Sequence, residues 1–201
     1  MPSRDPPSCG FLEMLAKSDN LRATTATRTG SVRRGVVHQT TFLRRGSWNA
    51  PEDLRLNILQ LNTEGLTADK LSVIEQLAYK NKAFIIVLQE THCATEDKLE
   101  IPNFALAGSI LSRNHDLATF VHERLEWSPV NQFPEQSETE WLCVGVAGYK
   151  IVNVYNPPRS RLTPTTIPAF PHPSLYLGDF NCQHVNWGYN TTSPDGESQD
   201  S

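Results

Sequence analysis

The stretch Phe84-Ile-Ile-Val-Leu88 most narrows the folds open to this chain. Five consecutive apolar, partly β-branched residues leave no polar face to turn toward water, so such a strand belongs inside a sheet covered on both faces by other layers. Upstream, Leu54, Leu56 and Ile58 alternate with Arg55 and Asn57, and the same parity runs on to Gln60 and Asn62. That period of two marks a strand with one face in the core. Between the two, Thr67 is placed to cap a helix with Asp69 in its first turn, and Leu71, Ile74, Leu77 and Ala78 recur at helical spacing through Tyr79. Further strands are predicted at Phe104–Ala107, Leu117–His122, Trp141–Val146, Tyr149–Tyr155 and Leu175–Leu177, with a tight hairpin at Ala147-Gly148. A strand, a helix, a buried strand and then hairpin-spaced strands predict a layered α/β protein with a mixed sheet, not an all-parallel one.

The length of 201 residues fits one domain with flanking segments, and no apolar stretch is long enough to cross a bilayer as a helix. Charge is unevenly spread. Residues 1–50 hold eight Lys/Arg against three Asp/Glu, whereas residues 51–201 hold ten against nineteen. Six arginines and no acid fall between Asn20 and Gly46, interleaved with Ser and Thr and with little hydrophobic periodicity. Residues 1–53 are therefore expected to be a basic, poorly structured leader, with a phosphate-binding arm as the functional alternative. Residues 189–201 are expected to be a polar tail. The four cysteines show no C-x-x-C spacing, which argues against a disulfide scaffold or a zinc site and points to a reducing, intracellular compartment, nucleus or cytoplasm.

Four short strings carry the chemistry: Gln60-Leu-Asn62, Gln89-Glu90-Thr91, Asn153-Val-Tyr155-Asn-Pro-Pro158 and Gly178-Asp179-Phe-Asn181. Each lies at or just past the end of an apolar run, where a strand delivers its polar tip to one rim of a sheet. Carboxylates, amides and a phenol gathered there can hold a hard divalent cation and a phosphate oxygen together. Singly, each string also reads as an ordinary turn. In this order, and with His184 and Trp187 following the last, they resemble the endonuclease/exonuclease/phosphatase superfamily, most of all the apurinic-type endonuclease domain of non-LTR retrotransposons.

The resemblance spans about Leu54 to Gly188 and implies a four-layer α/β/β/α sandwich over residues 54–188. It implies Glu90 as the principal carboxylate on Mg²⁺ or Mn²⁺, with the Asn62 amide beside it. Asp179 would orient and deprotonate the attacking water, while Asn181 and Tyr155 would reach the phosphate. The implied reaction is metal-assisted hydrolysis of a phosphodiester, and the implied partner is DNA. Family members continue beyond the Gly178-Asp179-Phe-Asn181 strand to a terminal Ser-Asp-His. Nothing after Gly188 resembles that ending, so the sandwich is expected to be incomplete at the C-terminus, turnover weak or absent, and the open sheet suited to a partner chain. Two other readings stay open: a non-catalytic nucleic-acid-binding or interaction module, and a sugar- or lipid-phosphatase using the same site.

Overall fold

Strand β3 (Arg55–Asn62), helix α1 (Ala68–Lys80) and strand β4 (Ile85–Gln89) form a βαβ unit, with the two strands parallel and neighbouring. Thr67 caps the helix as its sequence predicts, its hydroxyl accepting from the backbone N–H of Lys70. At the other end the Asn57 amide of β3 donates to the carbonyls of Asn81 and Lys82, tying the helix terminus to the sheet. The computed structural model describes residues 21–27, 38–45, 55–111, 116–130, 138–158, 160, 166–167, 169–171 and 173–181. The remaining strands are β1 (Leu21–Thr27), β2 (His38–Arg45), β5 (Phe104–Ile110), β6 (Leu117–His122), β7 (Trp127–Pro129), β8 (Glu140–Val146), β9 (Tyr149–Tyr155) and β10 (Ser174–Asp179).

These strands make two mixed sheets, ordered β1-β2-β3-β4-β6-β5 and β10-β9-β8-β7. The first holds the parallel pair β3/β4 and the second the parallel pair β9/β10; the other pairings are antiparallel. Parity assigns the faces. Leu56 and Ile58 of β3 and Ile85 and Val87 of β4 share one core with Val144, Ile151, Leu175 and Leu177 of the second sheet. The alternate residues Leu59, Leu61, Ile86 and Leu88 pack instead with Ile74 and Ala78 of α1. Ile85–Leu88 is therefore buried on both faces, as its unbroken apolar run requires. Each such side chain removed from water contributes about 1.5–3 kcal/mol. The result is an α/β arrangement, and among the described residues no helix is long and apolar enough to cross a membrane.

The structure differs from expectation in the leader. Two of its segments are strands: β1 pairs antiparallel with β2, and β2 pairs antiparallel with β3 from His38↔Leu61 to Arg44↔Arg55. Dense arginine charge and little hydrophobic periodicity argue for a poorly structured segment, but Leu21–Thr27 and His38–Arg45 carry five threonines, and threonine favours a strand once a neighbouring edge supplies its hydrogen bonds. The rest of the leader, the polar tail, His184 and Trp187 lie outside the described residues. Strand β7, three exposed residues, carried no alternation to predict it.

Gly178 explains how closely β10 approaches β9. It lies opposite Val154, has φ +156°, and a Cβ added there would stand 1.8 Å from the Val154 carbonyl oxygen. No side chain fits. At the Ala147-Gly148 turn both residues have positive φ, 50° and 83°, as in the two-residue hairpin the sequence predicts.

Candidate active site

The parity that faces the apolar residues of the two sheets toward one another continues to the C-terminal ends of the strands, where the residues turn polar. On β3 it runs from Leu56 and Ile58 to Gln60 and Asn62; on β4, from Ile85 and Val87 to Gln89; on β9, from Ile151 to Asn153 and Tyr155; on β10, from Leu177 to Asp179. Both parallel pairs thus deliver polar residues to one rim of the space between the sheets. That follows from sequence period and strand direction together.

The deeper layer is a buried amide chain. Gln60 donates to Gln89 Oε1 at 3.3 Å, and Gln89 Nε2 donates to Asn153 Oδ1 at 2.7 Å, crossing from one sheet to the other. The Asn153 amide in turn donates to the Leu88 and Ala118 carbonyls at 3.0 and 3.2 Å. Gln89 and Asn153 are wholly buried, so each needs the other to satisfy its polar atoms. Above this layer, Asn62 Nδ2 donates to Glu90 Oε1 and to Asp179 Oδ2, each at 3.0 Å. One amide therefore holds two carboxylates that arrive on different sheets.

Tyr155, which is almost fully buried, hydrogen-bonds the Glu90 side chain. Burial, that hydrogen bond and the negative charges of Glu90, Asp179 and Glu140 push its phenol well above the ordinary value of 10.0, so it remains a neutral donor. Burial also raises Asp179 above its ordinary 3.8, with the Glu90 charge acting the same way; hydrogen bonds from Asn62 and the Asn181 backbone oppose the rise. The Asn181 N–H donates to Asp179 Oδ1 at 3.1 Å, while the Asn181 side chain donates to the Asn156 carbonyl at 2.7 Å. Glu64, Glu90 and Asn181, all at this rim, have left-handed backbone, with φ of 44°, 52° and 48°. Non-glycine residues are held there at a cost, typically where the surroundings over-determine them.

All five residues singled out in the sequence, Asn62, Glu90, Tyr155, Asp179 and Asn181, thus meet at one place. Others were less visible. Gln60, Gln89 and Asn153 could have been found as polar residues on the core parity of otherwise apolar strands. Asn156 accepts from the Thr139 hydroxyl at 2.7 Å and donates to the Phe180 carbonyl at 3.2 Å, linking the ends of β9 and β10. Lys70 carried no signal of its own, apart from being a cation in the first turn of a helix, where the dipole disfavours it.

Among the described residues no group of three or more His, Cys, Asp or Glu could hold a metal ion. The carboxylates of Glu90 and Asp179 are oxygen donors of the kind a hard cation such as Mg²⁺ takes, since it binds through one or two carboxylates and keeps several waters; between them stands the Asn62 N–H group, which is not a ligand. The pair does not fit zinc, which favours thiolate and imidazole. Cys93 and Cys143 are buried thiols, and burial raises both, Cys143 to about 11. Neither is poised as a ligand or nucleophile.

No protein-family model matches this chain, and no curated protein does. Among solved structures, an AP endonuclease from Archaeoglobus fulgidus is similar at 20% identity with a TM-score of 0.40. The similarity covers 50% of this chain and 40% of that one.

Proposed function

We propose that this protein is a metal-dependent phosphodiester hydrolase of endonuclease type, with DNA as its substrate. The observation that carries the reading is the Asn62 amide, which donates at 3.0 Å to both Glu90 and Asp179 across the two sheets. Two carboxylates kept this close repel one another, and a divalent cation is the ligand that relieves them. The ordered resemblance of the four strings to retrotransposon-type endonucleases supports DNA as the polyanion. On this reading the domain is of the four-layer α/β/β/α type, and β1 and β2 extend its first sheet.

Glu90 would hold Mg²⁺ or Mn²⁺, with the Asn62 amide beside it. The bound cation supplies positive charge against the phosphate and the leaving oxygen. Asp179 takes the proton of the attacking water; its raised proton affinity suits a general base. Asn62 keeps that carboxylate pointed at the rim. The neutral Tyr155 phenol, exchanging its bond to Glu90 for one to the phosphate, and the second side-chain N–H of Asn181, whose first is held by the Asn156 carbonyl, donate to the phosphate oxygens as charge grows on them.

Nicking of supercoiled plasmid in Mg²⁺, compared with EDTA, tests the reading. Glu90→Ala and Asp179→Ala should each reduce nicking by about a hundredfold or more. Nicking that survives both substitutions, or that persists in EDTA, overturns the assignment.

A further inference from the structure

Lys70 lies at the third helical position of α1 and is half-buried. Its ammonium donates to three backbone carbonyls in a row, those of Thr63, Glu64 and Gly65, at 2.7, 3.0 and 2.7 Å. A lysine ammonium has three N–H donors, and all three are used. Left-handed backbone at Glu64 and Gly65, with φ of 44° and 85°, accompanies this convergence of three successive carbonyls on one point. The opposite side of the same segment is stitched to the carboxylate strand. Gly65 N–H donates to the Glu90 carbonyl and Leu66 N–H to the Thr91 carbonyl, both at 2.7 Å, and the Thr63 hydroxyl donates to the Glu90 carbonyl at 2.8 Å. Glu64 N–H donates to Asn62 Oδ1 at 3.2 Å, which orients the amide whose other end holds Glu90 and Asp179.

From this we infer that Lys70 is a positioning residue: a tethered ammonium filling a three-carbonyl cradle that holds Asn62 and Glu90 in place. Without the cation, three carbonyl dipoles converge on nothing and repel one another, and the segment has no reason to keep its left-handed turn. The cradle recognises a monovalent cation with N–H donors, whether attached to the chain or free. Replacing Lys70 by a shorter residue therefore makes a site for free ammonium.

Lys70→Ala tests this through amide hydrogen exchange at Gly65 and Leu66, a readout that needs no enzymatic activity. Exchange at both should quicken at least tenfold in Lys70→Ala and return toward wild type in ammonium chloride. It should not return in tetramethylammonium chloride, which matches the charge and ionic strength but has no N–H donor. Lys70→Met, whose stem fills the space, should quicken exchange without ammonium rescue, and Lys80→Ala, an exposed lysine of the last turn, should do neither. If Lys70→Ala unfolds, the same salts read as recovery of the folded amide spectrum in ammonium alone. Unchanged exchange in Lys70→Ala, or equal effects of the two salts, overturns the inference. The link to catalysis rests on the proposed hydrolase reading, and the two fail separately. A wild type that does not nick DNA while ammonium still restores Lys70→Ala removes only the function; full nicking by Lys70→Ala, beside an active wild type, removes only the positioning role.

Discussion

The buried amide pair Gln89–Asn153 should behave as a pin between the sheets, and its removal should be non-additive in a defined way. Asn153→Ala strands the Gln89 Nε2 donor, now 2.7 Å from its acceptor, in a wholly buried position. An unsatisfied buried donor costs about 1–3 kcal/mol, and the space left by the amide adds a cavity term of about 24 cal/mol per Å³. The total comes to about 2–4 kcal/mol, a large share of the 5–15 kcal/mol typical of a domain. In urea, at an m of about 2 kcal/mol per molar, the middle of the range for small proteins, the midpoint should fall by about 1–2 M. Fluorescence can follow it through Trp141, which is buried on β8. Replacing both partners with apolar residues of similar volume, Gln89→Leu with Asn153→Leu, removes the stranded donor along with its acceptor, so the double variant should recover at least about 1 kcal/mol relative to the sum of Gln89→Leu and Asn153→Leu made singly. A single substitution costing under about 0.5 kcal/mol, or a double variant equal to the sum, refutes the pin.

Gly178→Ala should be among the most damaging single-methyl changes, because the added carbon meets backbone 1.8 Å away; circular dichroism melts should show a loss well beyond the roughly 1 kcal/mol of an average point substitution. Acid titration of stability should expose Asp179. Its folded carboxyl holds a proton that the unfolded chain releases near 3.8, so the folded state binds more protons there and stability falls as pH rises from that value through the raised one. Asp179→Asn should flatten that limb, and an unchanged slope counts against the burial argument. The same sign applies to Tyr155 in alkali: its raised proton affinity means that stability declines above pH 10, and Tyr155→Phe should flatten the decline in a pH-jump unfolding series. Mg²⁺ should raise the melting temperature of wild type at neutral pH and leave Glu90→Gln/Asp179→Asn unmoved, as measured by calorimetry.

Local pattern was enough to place β3, α1, β4 and the β8–β9 hairpin, since periods of two and 3.6, a capping threonine and an unbroken apolar run each report a nearest-neighbour preference. It also marked Asn62, Glu90, Tyr155, Asp179 and Asn181, because polar residues closing apolar runs stand out along the chain. Strands β1 and β2 were not legible for the same reason: a threonine-rich, arginine-rich segment gains strand structure only from the β3 edge it pairs with, and no window of sequence contains that partner. Nor could spacing reveal that a single amide would bridge carboxylates 89 residues apart in sequence, or that Lys70 would use all three of its donors on the turn before it. Which residues are polar at the strand ends is written in the chain. Which of them touch depends on how two sheets stack, because packing, not sequence distance, sets the separation of their rims.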